Sequence, residues 1–311
     1  MESIKIIATG RALPKKIVSN DALCETVDSS DEWIRTRTGI LQRYCCESET
    51  CLDLAEAAAQ KALEKAGIDR NQIGVIVVAT TTPTYAFPSM ACMLQQRLGA
   101  GEEMLAFDIN AACSGFLYGL EICKSLLHSS KKKYALLVGS EELSRILDYE
   151  DRSTCVLFGD GAAAAVLTLS EGIFYHRAWA RGNDEALVCE GVGYPNPKLK
   201  MQGNAVFRFA VTVIQQAVEQ ILQDANLQMD DVDYVICHQA NSRIIEHVRK
   251  KYPGQEEKFV MNIDRYANTS AASIPLVLDE LFENGMLKEG MKVICVGFGA
   301  GFTWSSTLFS I

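Results

Sequence analysis

The feature that most constrains the fold of this 311-residue chain is an internal repeat at a nearly constant offset. The segment KALEKAGIDRNQIGVIVVAT (61–80) is a helix end, a Gly turn and the apolar strand Ile73–Ala79. The segment QILQDANLQMDDVDYVICHQ (220–239) repeats that plan and puts His238 where Ala79 stands, 159 residues on. A second pair, NAACSGFLYGLEICKSLLHSSKKKYALLVG (110–139) and NTSAASIPLVLDELFENGMLKEGMKVICVG (268–297), aligns without a gap. There Asn110 faces Asn268 and Gly139 faces Gly297, both 158 apart. Identities are few, but element order and spacing agree, which points to a duplicated α/β unit.

The strands IGVIVVA, YALLVG, VDYVIC and MKVICVG are continuous apolar runs, as in sheets covered on both faces. The helix after Cys113 carries Phe116, Leu117, Leu120, Cys123, Leu126 and Leu127 and is apolar enough to be mostly buried. Pro275 near the start of its counterpart and Gly285 at its end fit helix start and stop preferences. Two buried sheets with helices between them make a five-layer α/β/α/β/α sandwich. The halves, 1–170 with Cys113 and 171–311 with His238 and Asn268, are expected to share a core.

Composition excludes several functions. No apolar stretch is long enough to span a membrane, and the opening MESIKIIATG lacks the features of a secretory signal, so a cytoplasmic home is expected. The eleven cysteines show no CxxC spacing, so neither a disulfide framework nor a metal site is expected. A net charge of −9 argues against nucleic-acid binding.

Cys113 stands between a strand (Met104–Ile109) and a buried helix. A thiol at a helix N-terminus feels the positive end of the helix, which favours thiolate below the free value of about 8.5, the form that attacks a thioester. Placement alone favours a packed core cysteine. His238 shifts the balance, because it ends an apolar strand just before a helix starting near Asn241, and reactive groups gather at such strand ends. His128, His176 and His247 have no such setting. Asn268 begins the helix equivalent to the one behind Cys113, as a plain helix cap also would. If the halves pack about a pseudo-twofold axis, the two helix starts converge. The Gly297–Gly301 run can offer unobstructed amides to an oxyanion, although Gly-rich turns after strands are commonplace.

With SDEWIRTRTGI (30–40), VVATTTPTYAFPS (77–89), DINAACSGF (108–116), FGDGAAAAVL (158–167), HQANSRII (238–245), NTSAASIPL (268–276) and GFGAGFTW (297–304), the chain resembles, over nearly its whole length, the β-ketoacyl-acyl-carrier-protein synthase III family of thiolase-like condensing enzymes. The resemblance implies decarboxylative Claisen condensation of a short acyl-coenzyme A primer with malonyl-acyl carrier protein, initiating fatty acid synthesis without a cofactor or metal. It implies Cys113 as the nucleophile, and His238 and Asn268 as donors to the malonyl thioester carbonyl. The backbone amides of Cys113 and Ala300 would form the oxyanion hole. Trp33, Arg37, Arg152 and Asn241 would bind coenzyme A. Phe87, Leu143, Phe158 and Leu199 would shape the acyl pocket, with Phe87 crossing to the partner of a homodimer. Arg208, Arg243, Arg249, Lys250 and Lys251 form a basic patch expected to dock the acidic carrier protein, although any one of them alone reads as a solvated surface residue.

Two departures from the family stand out. Ala300 interrupts a loop that usually reads Gly-Gly-Gly, where a side chain is expected to restrict φ or crowd the oxyanion pocket. The stretch Gly182–Lys200, expected to line the primer pocket, is shorter than usual. The alternative is a non-elongating acyltransferase of the same fold in secondary metabolism, against which retention of both His238 and Asn268 argues. A hydroxymethylglutaryl-coenzyme A synthase would want an acid near Thr80–Thr84, where there are only Thr and Pro. A binding subunit without activity would not need the intact Cys-His-Asn set.

Overall fold

The computed structural model describes residues 2–311. The first sheet holds β1 (Glu2–Ala12), β2 (Ile73–Ala79), β3 (Leu105–Ile109), β4 (Tyr134–Glu141) and β5 (Gly161–Glu171), in the order β1-β5-β4-β2-β3. The second holds β6 (Phe174–Asn183), β7 (Tyr234–Cys237), β8 (Phe259–Val260), β9 (Lys292–Gly299) and β10 (Gly301–Ser310). Its order, β6-β10-β9-β7-β8, is that of the first sheet strand for strand. Parallel and antiparallel pairings correspond as well. The register carries the repeat further. Val78 pairs with Val138 and Cys237 with Val296, and these residues are 159 and 158 apart, the offsets of the two sequence alignments.

Seven principal helices complete the layers: α1 (Asp31–Thr38), α2 (Cys51–Ala66), α3 (Met90–Leu98), α4 (Gly115–Ser129), α5 (Gly203–Ala225), α6 (Ser242–Arg249) and α7 (Ser273–Glu283). The period of two along a strand divides its side chains between layers. On β2, Val75 and Val77 face α4 and α7, whereas Ile76 and Val78 face α2 and α3 on the outside. On the second sheet, Ile236 and Cys295 join the central cluster while Val235, Ile294 and Val296 meet α5 and α6. The five expected layers are therefore present. Phe116, Leu117 and Leu120 of α4 pack with Ile274, Val277 and Leu278 of α7. Each such side chain buried contributes roughly 1.5–3 kcal/mol, so parting the sheets would expose the middle layer of both.

Four of the five outer helices (α1, α2, α3 and α6) are capped at their N-termini by side chains. Thr50 and Asp53 form a capping box on α2, and Ser30 caps α1, which ends at Gly39 with φ 78°. Neither central helix, α4 or α7, has a side-chain N-cap, and of the outer helices only α5 shares that lack. The first amides of α4 and α7 point at the middle of the molecule with the positive end of each helix. Among the described residues, no helix is long and apolar enough to cross a membrane.

Candidate active site

Both central helices are entered through the same turn. Ala112 N–H donates to Asn110 Oδ1 at 3.2 Å, and Ser270 N–H donates to Asn268 Oδ1 at 2.9 Å. Ala112 (φ 46°) and Ser270 (φ 48°) are both left-handed, a strain of about 1–3 kcal/mol for a residue with a side chain. A single 3₁₀ turn follows each, Ala112–Ser114 and Ser270–Ala272. The turns are carried crosswise by strands of the other half. A Cβ on Gly297 would lie 3.3 Å from Ser114 Cα, and one on Gly139 would lie 3.2 Å from Ala272 Cα. Glycine permits both approaches. The anticipated pseudo-twofold meeting of helix starts is thus built by β9 holding the Cys113 turn and β4 holding the Ser270 turn.

Cys113, His238 and Asn268 line one cavity of about 290 Å³, whose mouth is formed by Trp33, Arg37, Asn241 and Arg243. Cys113 also lines a second cavity of about 500 Å³, with Leu143, Phe158 and Leu199 on its walls. The thiol therefore sits at the junction of the two. His238 follows β7, and its backbone N–H donates to Val296 O at 2.8 Å. Its ring meets Phe298 edge-on at 5.2 Å between centroids, and Nδ1 is buried with no hydrogen-bond partner among the described residues. Burial lowers its pKa to about 3, so the imidazole is neutral at physiological pH. Asn268 uses its carbonyl oxygen in the turn, which fixes the orientation of the carboxamide and leaves its NH₂ as the donor at the cavity wall. It is a cap and a cavity residue at once.

The thiol corrects one expectation. Position at a helix start was expected to favour thiolate, but burial pushes Cys113 up to about 12; the Ser270 hydroxyl opposes the rise and Glu141 adds to it. Loss of hydration outweighs the helix end here, and the resting nucleophile is the neutral thiol.

The remaining anticipated residues fall as follows. Arg37 and Arg152 both stand over the Trp33 ring, with guanidinium carbons 4.9 and 5.7 Å from its centroid, two cation–π contacts on an aromatic residue that lines the first cavity. Asn241 caps α6 through Arg243 N–H at 2.9 Å and donates to Arg37 O at 3.0 Å, tying α6 to α1. Phe87 lines neither cavity of its own chain and is 86% exposed. Asn183, Asp184, Leu187 and Leu199, from the shortened stretch, do line the second cavity. Ala300 also lines it, and its φ is not left-handed, whereas Gly301 has φ 130°. The expected backbone restriction at Ala300 therefore does not arise, because the glycine requirement lies at its neighbour. The basic patch is looser than expected. Arg243 stands at the mouth, and Arg208, Lys250 and Lys251 are exposed. Arg249 is paired with Glu246 at 2.7 Å, which neutralises it locally.

Sequence reasoning missed Ser270, Thr81 and Glu141. Ser270 and Thr81 line the second cavity beside Cys113, and Glu141 lies fully buried at the end of β4. The repeat offset could have found two of them, since Ser270 is the counterpart of Ala112 and Glu141 that of Gly299. Among the described residues, no cluster of His, Cys, Asp or Glu is arranged to hold a metal ion.

Comparison with known proteins agrees with this geometry. The family described as 3-oxoacyl-[acyl-carrier-protein (ACP)] synthase III matches residues 107–179, and its C-terminal counterpart matches residues 222–311. The chain is similar to the β-ketoacyl-[acyl-carrier-protein] synthase III of Clostridium botulinum (strain Loch Maree / Type A3), at 46% identity over 98% of this chain and 97% of that protein. The protein of the same description from Acholeplasma laidlawii is 45% identical over 99% and 98%. The crystal structure of 3-oxoacyl-[acyl-carrier-protein] synthase III from Aquifex aeolicus VF5 superposes with a TM-score of 0.94 at 42% identity, covering 99% of this chain and all of that one.

Proposed function

The chain belongs to the 3-oxoacyl-[acyl-carrier-protein] synthase III family, and from that premise we propose that Cys113, His238 and Asn268 divide between them the condensation that starts fatty acid synthesis. The reaction joins a short acyl group from acyl-coenzyme A to malonyl-acyl carrier protein, releasing carbon dioxide and giving a 3-oxoacyl carrier protein. The observation that carries the division of roles is the position of Cys113 at the junction of two cavities, with His238 and Asn268 on one of them only.

In the first half-reaction the acyl-coenzyme A enters past Trp33 and Arg37, and its acyl end passes Cys113 into the second cavity. The sulfur attacks the thioester carbon, and coenzyme A leaves along the first cavity. The backbone amides of Cys113 and Ala300 hold the oxyanion; free amides at the uncapped start of α4 suit that task. In the second half-reaction the malonyl thioester occupies the first cavity. Loss of carbon dioxide leaves an enolate, which neutral donors stabilise without a strong base. His238, held neutral by burial, and the Asn268 NH₂ supply them, and the enolate carbon attacks the acyl-Cys113. One thiol serving both steps gives ping-pong kinetics.

The same proposal covers the partners. Arg37, Arg152 and Trp33 take the adenine and phosphates of coenzyme A, and Asn241 the pantetheine arm. Arg243 with Arg208, Lys250 and Lys251 steers the acidic carrier protein. Phe87 is a large apolar side chain left exposed, and β3 is an edge strand of its sheet; both features support a homodimer in which Phe87 closes the partner's acyl pocket.

The test is incubation with acetyl-coenzyme A, mass measurement of the intact protein and mapping of the adduct to the Cys113 peptide. Malonyl carrier protein is then added and carbon dioxide release followed. Cys113→Ala abolishes the adduct, whereas His238→Ala and Asn268→Ala keep it and block condensation. Loss of the adduct in both latter variants would refute the assigned roles, and acylation without decarboxylation in the unaltered protein would identify a non-elongating acyltransferase.

A further inference from the structure

His238 and Asn268 come from separate elements, and a closed ring of buried hydrogen bonds joins the segments that carry them. Gln239, which follows His238, is buried. Its backbone N–H donates to Oγ of Ser273, the first residue of α7, at 2.8 Å. Its Nε2 donates to Cys237 O at 2.8 Å on β7 and to Val260 O at 3.2 Å on β8, and its Oε1 accepts from Asn262 N–H at 3.0 Å. Asn262 Nδ2 in turn donates to Glu280 Oε2 at 2.9 Å. Glu280 closes the ring on α7, seven residues beyond Ser273, which is about two helical turns along one face. The same carboxylate accepts from Arg265 Nη1, from Arg265 Nη2 at 3.0 Å and from Tyr266 Oη at 2.6 Å. Asn262 precedes the short helix Ile263–Tyr266, which leads through Ala267, left-handed at φ 57°, into Asn268. There Asn268 N–H donates to Leu157 O at 2.9 Å, and Gly159 N–H donates to Asn268 O at 3.0 Å.

We propose that Gln239 and Glu280 are positioning residues that fix the separation of the His238 and Asn268 donors for decarboxylation, a role that rests on those two donors serving the malonyl thioester as assigned above. Two donors on one enolate oxygen act together only if both reach it at hydrogen-bond distance, and an error of about 1 Å costs on the order of 10²-fold in rate. A histidine is usually aimed by the bond its other ring nitrogen makes. His238 Nδ1 makes none among the described residues, so its aim comes from the backbone that carries it. Gln239 anchors that backbone to β7, β8 and α7 at once. Glu280 does the same for the segment entering Asn268, and Asn262 joins the two anchors.

The fold by itself does not need this ring. The first half repeats the same strands and central helix, and there the counterparts of Gln239, Ser273 and Glu280 are Thr80, Gly115 and Ile122. Gly115 and Ile122 have no polar side-chain atom with which to close a ring. That half presents a single thiol, whereas the second half presents two donors that must meet one oxygen. Stability does not single the ring out either, because a buried ion pair contributes little beyond a well-packed apolar pair of the same volume. Gln239, Asn262, Ser273 and Glu280 line neither cavity, so they touch no substrate and act through His238 and Asn268.

The experiment measures two rates, acylation by acetyl-coenzyme A from intact mass and carbon dioxide release from malonyl carrier protein labelled in its free carboxyl group. Glu280→Gln sets an NH₂ group against two of the donors and opens the ring. Asp279→Asn is the control on the same helix, since its buried carboxylate accepts from Thr9, Arg11 and Lys65 on β1 and α2, outside the ring. E280Q acylates within about threefold of the unaltered protein and keeps KM for malonyl carrier protein within about threefold. Its kcat for carbon dioxide release falls on the order of 10²-fold, the split expected when an interaction made in the transition state is lost. D279N melts lower but keeps both rates within about threefold. Added to His238→Ala, E280Q costs little more, because a single remaining donor has no partner to be matched to. Carbon dioxide release in E280Q within about threefold of the unaltered protein, an equal fall in acylation and release, or a D279N protein with the E280Q pattern overturns the positioning role. So does a full 10²-fold penalty of E280Q, on the order expected for misplacement, retained in the His238→Ala background. If E280Q does not fold, Gln239→Met decides by the same two rates. Carbon dioxide release undiminished in His238→Ala alone would instead refute the donor role of His238 itself, and the ring's role with it.

Discussion

The backbone approach of β9 to the Cys113 turn gives a direct test of how the nucleophile is held. Gly299 ends β9 against the Cys113 turn. A Cβ there would lie 2.6 Å from Cys113 N, 2.9 Å from Ala112 Cβ and 3.3 Å from Cys113 Cα. Non-bonded carbon contacts settle at about 3.5–4.0 Å, so Gly299→Ala must push the turn or the strand back by roughly 1 Å. Little there can yield. Ala112 is already left-handed, Asn110 holds its amide, and Gly297 touches Ser114 Cα. Overpacking of this kind costs about 1–3 kcal/mol, and misplacement by about 1 Å at a reacting centre costs on the order of 10²-fold in rate.

Gly299→Ala should therefore fold, melt roughly 2–6 °C lower, and acylate with acetyl-coenzyme A on the order of 10²-fold more slowly by time-resolved intact mass. Gly182→Ala is the control, because a Cβ there meets nothing within 4 Å. An alanine at 299 that left both melting temperature and acylation unchanged would show that the turn is not fixed by this contact, and the account of the Cys113 position would fail.

Two further outcomes follow from the same geometry. His238 is buried with its pKa lowered to about 3 from 6.5; the unfolded chain therefore binds the extra proton first, and this contribution to stability shrinks as pH falls from about 6.5 towards 3. Between pH 7 and 5 that amounts to about 2 kcal/mol, and urea unfolding of His238→Gln should lose about that much less than the unaltered protein over the interval; equal losses would mean that the imidazole is not kept neutral. Ala300→Gly should leave the acylation rate within about twofold while lowering stability by about 0.4–1 kcal/mol through the unfolded chain; faster acylation would show that the alanine does crowd the oxyanion site.

Much of this was legible in the sequence because duplication leaves two copies of every spacing. The register pairs Val78–Val138 and Cys237–Val296 repeat the alignment offsets, and continuous apolar strands announced sheets covered on both faces. What the sequence hid was energetic. The helix start behind Cys113 argued for an ionised thiol, but local position carries no information about enclosure, and enclosure decides the titration. Ala300 looked disruptive because three glycines were taken as one requirement, whereas the left-handed φ belongs to Gly301 alone. Arg249 counted toward a basic patch until its pairing with Glu246, three residues away on α6, was seen. Glu141 passed as the end of a strand, since nothing local tells a solvated terminal acid from one sealed under a nucleophile.

The duplicated turn also removes the conflict between cap and catalyst at Asn268. Asn110 and Asn268 make the same side-chain bond to the amide two residues on, so that bond by itself demands no chemistry. A carboxamide used this way engages its oxygen and leaves its two N–H groups over, which a capping serine or aspartate would not provide. In the first half the chemical group is Cys113, three residues beyond the asparagine, where the second half has only Ala271. In the second half the asparagine itself lines the first cavity with His238, while Asn110 lines the second cavity instead. One local motif, placed twice about a pseudo-twofold axis, thereby presents a thiol from one side and a fixed neutral donor from the other. The asymmetry of the site comes from which residue of each turn faces the cavity, with no difference in backbone plan required.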